Sequence, residues 1–183
     1  MEFRILRSRR KTLAIEITPR GDVLVRAPLR LSKRDIQRFV DSKQDWITSH
    51  LEKIPAVKPL SPEEHQALIR TAREILPEKA AFFANQLGIS FGRITIRSQK
   101  SRWGSCSASG NLSFNCLLML SPDAVQDYVV VHELCHRKHM DHSPRFWAEV
   151  ERILPDYRLR KEWLKANGAS LLARLPAKED AQI

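Results

Sequence analysis

Residues 130–147, VVHELCHRKHMDHSPRFW, set four histidines and a glutamate into and just beyond an apolar run. The stretch DAVQDYVVVHELCHRKH predicts a helix, with Ser121 as N-cap and Pro122 at its first position. Its YVVV core is apolar on most sides, so the helix belongs inside a core. Burying imidazoles and a carboxylate there is costly unless something binds them. The fold therefore has to enclose a helix and still leave one end of it open to a ligand.

His132 and His136 stand at i and i+4, which puts both rings on one face about 6 Å apart along the axis, close enough to converge on one ion. Glu133 lies about 100° round the helix, where its carboxylate flanks such an ion without ligating it. This is the H-E-x-x-H spacing. A catalytic zinc takes three protein ligands and keeps a position for water, so a third ligand is needed. On a straight helix His139 would sit about 10 Å from His132, too far for rings bonding at about 2 Å. Ser143 and Pro144 read as the start of a further helix, PRFWAEVERIL, so His142 falls in the corner between the two. It follows His136 by six positions, the interval of H-E-x-x-H-x-x-G-x-x-H proteins, with His139 where they have glycine. The turn must therefore be made without glycine's freedom. Glu149 and Glu151 are rival third ligands, ranked below His142. The bland reading, histidines capping a helix C-terminus, explains His139 but not Glu133 beside His132.

Upstream, LAIEI and VLVRA alternate around TPRGD, a hairpin signature. LSKRDIQRFVDSKQDWITSHLEK predicts one helix from Ser32 with Trp46 in its apolar stripe. Prolines 55, 59 and 62 mark a linker, and a helix capped by Ser61 runs to Gly88. SFGRITIRSQ and SRWGSCSASGNLSFN predict three short strands. The expected boundaries are a basic hairpin and helix module over 1–58, a catalytic domain over 59–175 and a frayed tail over 176–183. Cys106, Cys116 and Cys135 form no C-x-x-C pair and read as reduced packing residues.

The formal charge is +10, and residues 1–60 hold 14 Lys/Arg against 7 Asp/Glu, so most of the excess sits in the first third. Such a field attracts polyanions, which keeps nucleotides and nucleic acid among the candidate partners. At 7% aromatic content, with no RNA-binding fingerprint, a dedicated nucleic-acid module ranks last. No apolar run spans a bilayer and the opening MEFRILRSRRKTLAIEI lacks a signal-peptide core, so a cytoplasmic protein is expected.

YVVVHELCHRKHMDHSPRFW, with RWGSCSASGNLSFN before it and RSRRKTLAIEI at the start, resembles the YgjP-like family of metal-dependent hydrolases, which is similar to SprT-type, WLM-type and minigluzincin zinc peptidases. The resemblance covers most of the chain. It implies an α+β fold: a zincin-like core with a small antiparallel sheet packed on the H-E-x-x-H helix, plus the N-terminal hairpin and helix. It also implies one Zn2+ per chain on His132, His136 and His142, with Glu133 as the catalytic base, in agreement with the spacing.

In SRWGSC, Arg102 and Trp103 are expected to border the cleft, beside a strand able to pair with an extended peptide. Trp103 packed on the catalytic helix is the rival view. Arg102 or Tyr157 could face the oxyanion, and no spacing rule selects either. The leading expectation is a zinc metallopeptidase acting on polypeptides. The alternatives are a metal-dependent nucleoside triphosphate pyrophosphatase or phosphohydrolase, and a nucleic-acid-associated protease.

Overall fold

The computed structural model describes residues 2–18, 21–53 and 57–176. Nearly all of the expected tail and Pro55 of the expected linker lie outside that range. The chain divides into two compact units, Met1–Lys58 and Pro59–Ile183. No helix among the described residues is long and apolar enough to cross a membrane.

The first unit has strands β1 (Arg4–Ser8), β2 (Ala14–Ile17) and β3 (Val23–Pro28), then helices α1 (Lys33–Asp41) and α2 (Gln44–Leu51). β2 and β3 form the antiparallel hairpin, and β1 adds to the other side of β3 in parallel, with Ile5 and Ile15 both opposite Val25. Period-two alternation turns Val23, Val25 and Ala27 inward against Ile36, Val40 and Ile47 of the helices. The single helix expected from Ser32 is instead two. Ser32 does cap α1, accepting from the Asp35 amide at 3.1 Å. The break comes where the Ser42 hydroxyl donates to the Phe39 carbonyl at 2.8 Å and competes with the helical ladder. Trp46, expected in the buried stripe, is 43% exposed and packs at a tilt on His50 with ring centroids 4.1 Å apart.

The second unit opens with α3 (Pro62–Leu87). Ser61 and Glu64 form a reciprocal capping box: the Glu64 amide donates to Ser61 Oγ at 3.2 Å and the Ser61 amide to Glu64 Oε2 at 2.7 Å. Gly88, at φ +64°, ends the helix in the left-handed region. Strands β4 (Ile94–Arg97), β5 (Gly104–Cys106) and β6 (Leu112–Asn115) follow, then a 3₁₀ turn over Cys116–Leu120 and helices α4 (Asp123–Cys135), α5 (Pro144–Ile153) and α6 (Tyr157–Ala173). The sheet order is β4-β6-β5. β5 and β6 pair antiparallel as their short turn demands, whereas β4 joins β6 in parallel. The sheet is therefore mixed where antiparallel pairing throughout was expected, because the chain crosses from β4 over residues 98–103 before β5 begins. That crossing leaves β5 at an edge of the sheet.

α4 is buried on nearly every side. Val130, Val131, Leu134 and Cys135 pack with Leu76 of α3, Phe114 of β6 and Phe146 and Val150 of α5. Burial of such side chains contributes roughly 1.5–3 kcal/mol each. Polar contacts fix the other end of the helix. Lys79 Nζ of α3 reaches Asp123 at 2.7 Å and Asp127 at 2.6 Å, and Arg160 of α6 donates to the Ala124 carbonyl at 3.0 Å. Replacing Lys79 by Met leaves the half-buried Asp127 without its near cation, so we expect a loss of about 1–3 kcal/mol in denaturant unfolding. An unchanged midpoint would show that Lys79 does not hold α3 to α4.

Candidate metal centre

The site is built at the C-terminal end of α4, where the helix stops sooner than the run of histidines suggests. α4 ends at Cys135 and His136 is its C-cap. The chain then tightens: the Arg137 amide bonds the Leu134 carbonyl at 2.9 Å, and the amides of Lys138 and His139 both bond Cys135 at 3.0 Å. His136 Nδ1 lies 3.0 Å from the His139 carbonyl. As a donor there, Nδ1 carries the proton and leaves Nε2 with a free lone pair. The turn uses no left-handed residue, since among the described residues only glycines have positive φ. That answers the question raised by His139 in a glycine's place.

Arg137 holds this corner down. Its Nε donates to the Ser90 carbonyl at 3.1 Å and its Nη1 to Ala108 at 3.3 Å. Gly110 makes room for it, since a Cβ there would come within 2.8 Å of the guanidinium carbon. The chain then returns through His142 to α5, whose N-cap is Ser143.

The turn brings three imidazoles together. Ligand nitrogens of His132, His136 and His142 all lie within 4.8 Å of one another, and Nε2 of His132 is 3.1 Å from Nε2 of His142. Three nitrogens bonded at about 2.0–2.1 Å to a tetrahedral ion would be about 3.3 Å apart. The donor set therefore fits a small ion such as zinc. Burial first, then the neighbouring His136, His142 and Lys161, hold His132 down to about 3, and burial lowers His136 as well. Both are therefore neutral, which is the ligating form. Phe146 of α5 packs against all three rings, at centroid distances of 4.9, 4.7 and 4.9 Å. Trp147 stacks on His142. The sequence puts both aromatics in the helix PRFWAEVERIL but does not reveal this role.

Glu133 projects beside the cluster and is only 7% exposed. Burial pushes its carboxyl up to about 7, against the opposing pull of Arg102. β5 runs so close that a Cβ on Gly104 would sit 2.6 Å from Glu133 Cγ. Any side chain there would force Glu133 to shift, a constraint that the sequence does not reveal. Together Gly104, Cys106, Glu133 and the three histidines border a cavity of about 370 Å³, with Arg102 at its side.

Among the sequence-derived candidates, Arg102 thus borders the histidine cavity, and Trp103 borders a second cavity next to it. Asn115, which sequence reasoning passed over, holds their loop. It is fully buried, and its Nδ2 donates to the carbonyls of Gln99 at 2.7 Å and Arg102 at 3.1 Å. A polar residue closing an apolar strand was the only signal for it. Tyr157 is buried and stacked on Trp147 rather than bordering the histidine cavity. Glu149 is engaged by Lys138 at 3.0 Å and Arg152 at 3.1 Å, and Glu151 by Arg158 at 3.4 Å, so neither joins the histidines. All three cysteines are free. Cys116 and Cys135 are core, while Cys106 is half-buried at the cavity wall.

The sequence profile of the YgjP-like, metallopeptidase domain family matches residues 11–68 and 61–167. The chain belongs to this family. A catalytic metal and hydrolysis are thus the chemistry of this YgjP-like chain. No curated protein sequence matches it. Among solved structures it is similar to two metallopeptidase zymogens. For abylysin of Pyrococcus abyssi the identity is 21%, over 51% of this chain and 94% of that one, with a TM-score of 0.47. For jannalysin of Methanocaldococcus jannaschii the identity is 20% over the same shares, with a TM-score of 0.44.

The geometry groups His142, and not His139, with His132 and His136. His142→Ala should weaken metal binding about tenfold or more. His139→Ala should leave it nearly intact, because His139 meets His136 through its backbone carbonyl alone. Calorimetric titration of metal into the two variants checks this, and equal losses would contradict the geometry.

Proposed function

We propose that the chain is a zinc-dependent peptidase in which His132, His136 and His142 hold one zinc ion and Glu133 is the general base. The observation that carries this reading is the convergence of three imidazole nitrogens within 4.8 Å beside a buried glutamate. The reaction is assigned to the unit Pro59–Ile183, which contains every one of these residues. When bound, zinc supplies Lewis acidity, polarising a substrate carbonyl and acidifying a water.

The chain's own residues supply the rest. Glu133, held near neutrality by burial, accepts the water proton on a carboxylate oxygen and delivers it to the leaving amine. Gly104 leaves room for Glu133, which a Cβ there would push aside. β5, at the sheet edge and bordering the cavity, offers backbone groups to an extended polypeptide. Arg102 and Trp103, held by Asn115, flank that strand as substrate-binding residues. The charge of Arg102 acts on Glu133, and Arg102 borders the cavity whereas Tyr157 does not, so Arg102 is better placed to meet the oxyanion.

Wild type and Glu133→Gln, assayed on unfolded protein, a peptide library and nucleoside triphosphates, test this reading. Glutamine keeps the shape but cannot accept the proton, so peptide cleavage should fall about a hundredfold or more with zinc retained. The +10 charge makes nucleotides the competing substrates. Glu133-dependent release of phosphate or pyrophosphate without peptide cleavage would replace the peptidase reading with nucleotide hydrolysis.

A further inference from the structure

A second cavity, of about 200 Å³, adjoins the histidine cavity, and Gly104, His132 and Glu133 border both. Its remaining walls are Trp103, Tyr128, Val129 and Leu164, none of them charged at neutral pH. An apolar cavity of about 150 Å³ holds a benzene-sized ring, so this one has room for a leucine or phenylalanine side chain.

Its position relative to the chemistry is defined by Gly104, the first residue of the edge strand β5 and the residue that touches Glu133. A peptide paired along that edge would alternate its side chains, and a residue beside a bond held at Glu133 would have the second cavity within reach of its side chain. Trp103, which forms a wall, is fixed from two directions. Its carbonyl accepts from the Asn115 amide at 2.8 Å, and its indole leans on Gly168 of α6. A Cβ at Gly168 would stand 3.3 Å from Cζ2 and Nε1 of that indole, tighter than ordinary contact, so a methyl there requires the wall to yield by a few tenths of an ångström.

We propose that this cavity is a specificity pocket for one residue beside the hydrolysed bond, that it takes an uncharged leucine- or phenylalanine-sized side chain, and that Gly168 sets its shape by seating Trp103. The proposal rests on the peptidase reading.

The test uses full-length, zinc-loaded Glu133→Gln protein labelled with ¹⁵N at its indoles, so that binding is read without turnover. The Trp103 Nε1–H resonance is assigned by its loss in Trp103→Phe. Four capped pentapeptides differing only in a central Gly, Leu, Phe or Glu are titrated in. The Leu and Phe peptides should shift the Trp103 resonance saturably and bind about tenfold tighter than the Gly and Glu peptides. Adding Gly168→Ala should weaken the Phe peptide by a similar factor and leave the Gly peptide unchanged. Equal shifts from all four peptides, no shift from any, or an equal effect of Gly168→Ala on all would overturn the pocket. Wild-type cleavage of the same peptides separates the two claims. Indole responses as expected with no peptide cut leave the pocket and remove the peptidase reading. Cleavage indifferent to the central residue, with no indole response, does the reverse.

Discussion

Three imidazoles that crowd one another must stay neutral, and something must hold their rings at fixed angles. Phe146 does the holding. Its ring, fully buried between α4 and α5, lies under 5 Å from the centroids of His132, His136 and His142 at once. Burial supplies the neutrality, holding His132 far below its ordinary value. The position of α5, the abrupt end of α4 and the tight turn between them are conditions for that contact. Removing the Phe146 ring would cost about 3–5 kcal/mol of core packing and free all three side chains together.

The same burial sets the other half of the site. α4 is enclosed by α3, the sheet, α5 and α6, so Glu133 is shielded from water on the side where Gly104 passes. A carboxylate in that position rises toward neutrality, where it can both take and return a proton. Stability and chemistry pull in opposite directions here. Apolar contacts of Val130, Val131 and Leu134 along the same helix work against the cost of desolvating Glu133 and His132.

Local spacing carried much of this in the sequence. The i, i+4 pair His132 and His136, with His142 six residues on past the helix end, predicted three nearby imidazoles, and their nitrogens do lie within 4.8 Å. The α+β composition and the helix-capping residues Ser32, Ser61 and Gly88 were legible for the same reason, because caps act within one turn. What was not legible is set by contacts between distant segments. The parallel pairing of β1 with β3 and of β4 with β6 leaves no mark on the strands' own alternation. The break at Ser42 turns on one hydroxyl choosing the Phe39 carbonyl over solvent. Gly104 reads as an ordinary strand residue until Glu133 is seen against it, and so does Asn115 until the carbonyls of Gln99 and Arg102 are seen to need a donor.

The central claim is a mononuclear centre held by three histidines with Glu133 and Cys106 close by but outside the coordination shell. X-ray absorption at the zinc edge of the metal-loaded protein tests it most directly. The account predicts a first shell of nitrogen and oxygen at about 2.0–2.1 Å with outer scattering from three imidazole rings, and no sulfur. A scatterer at about 2.3 Å, the distance of a thiolate such as that of Cys106, or scattering from only two imidazoles, would contradict it.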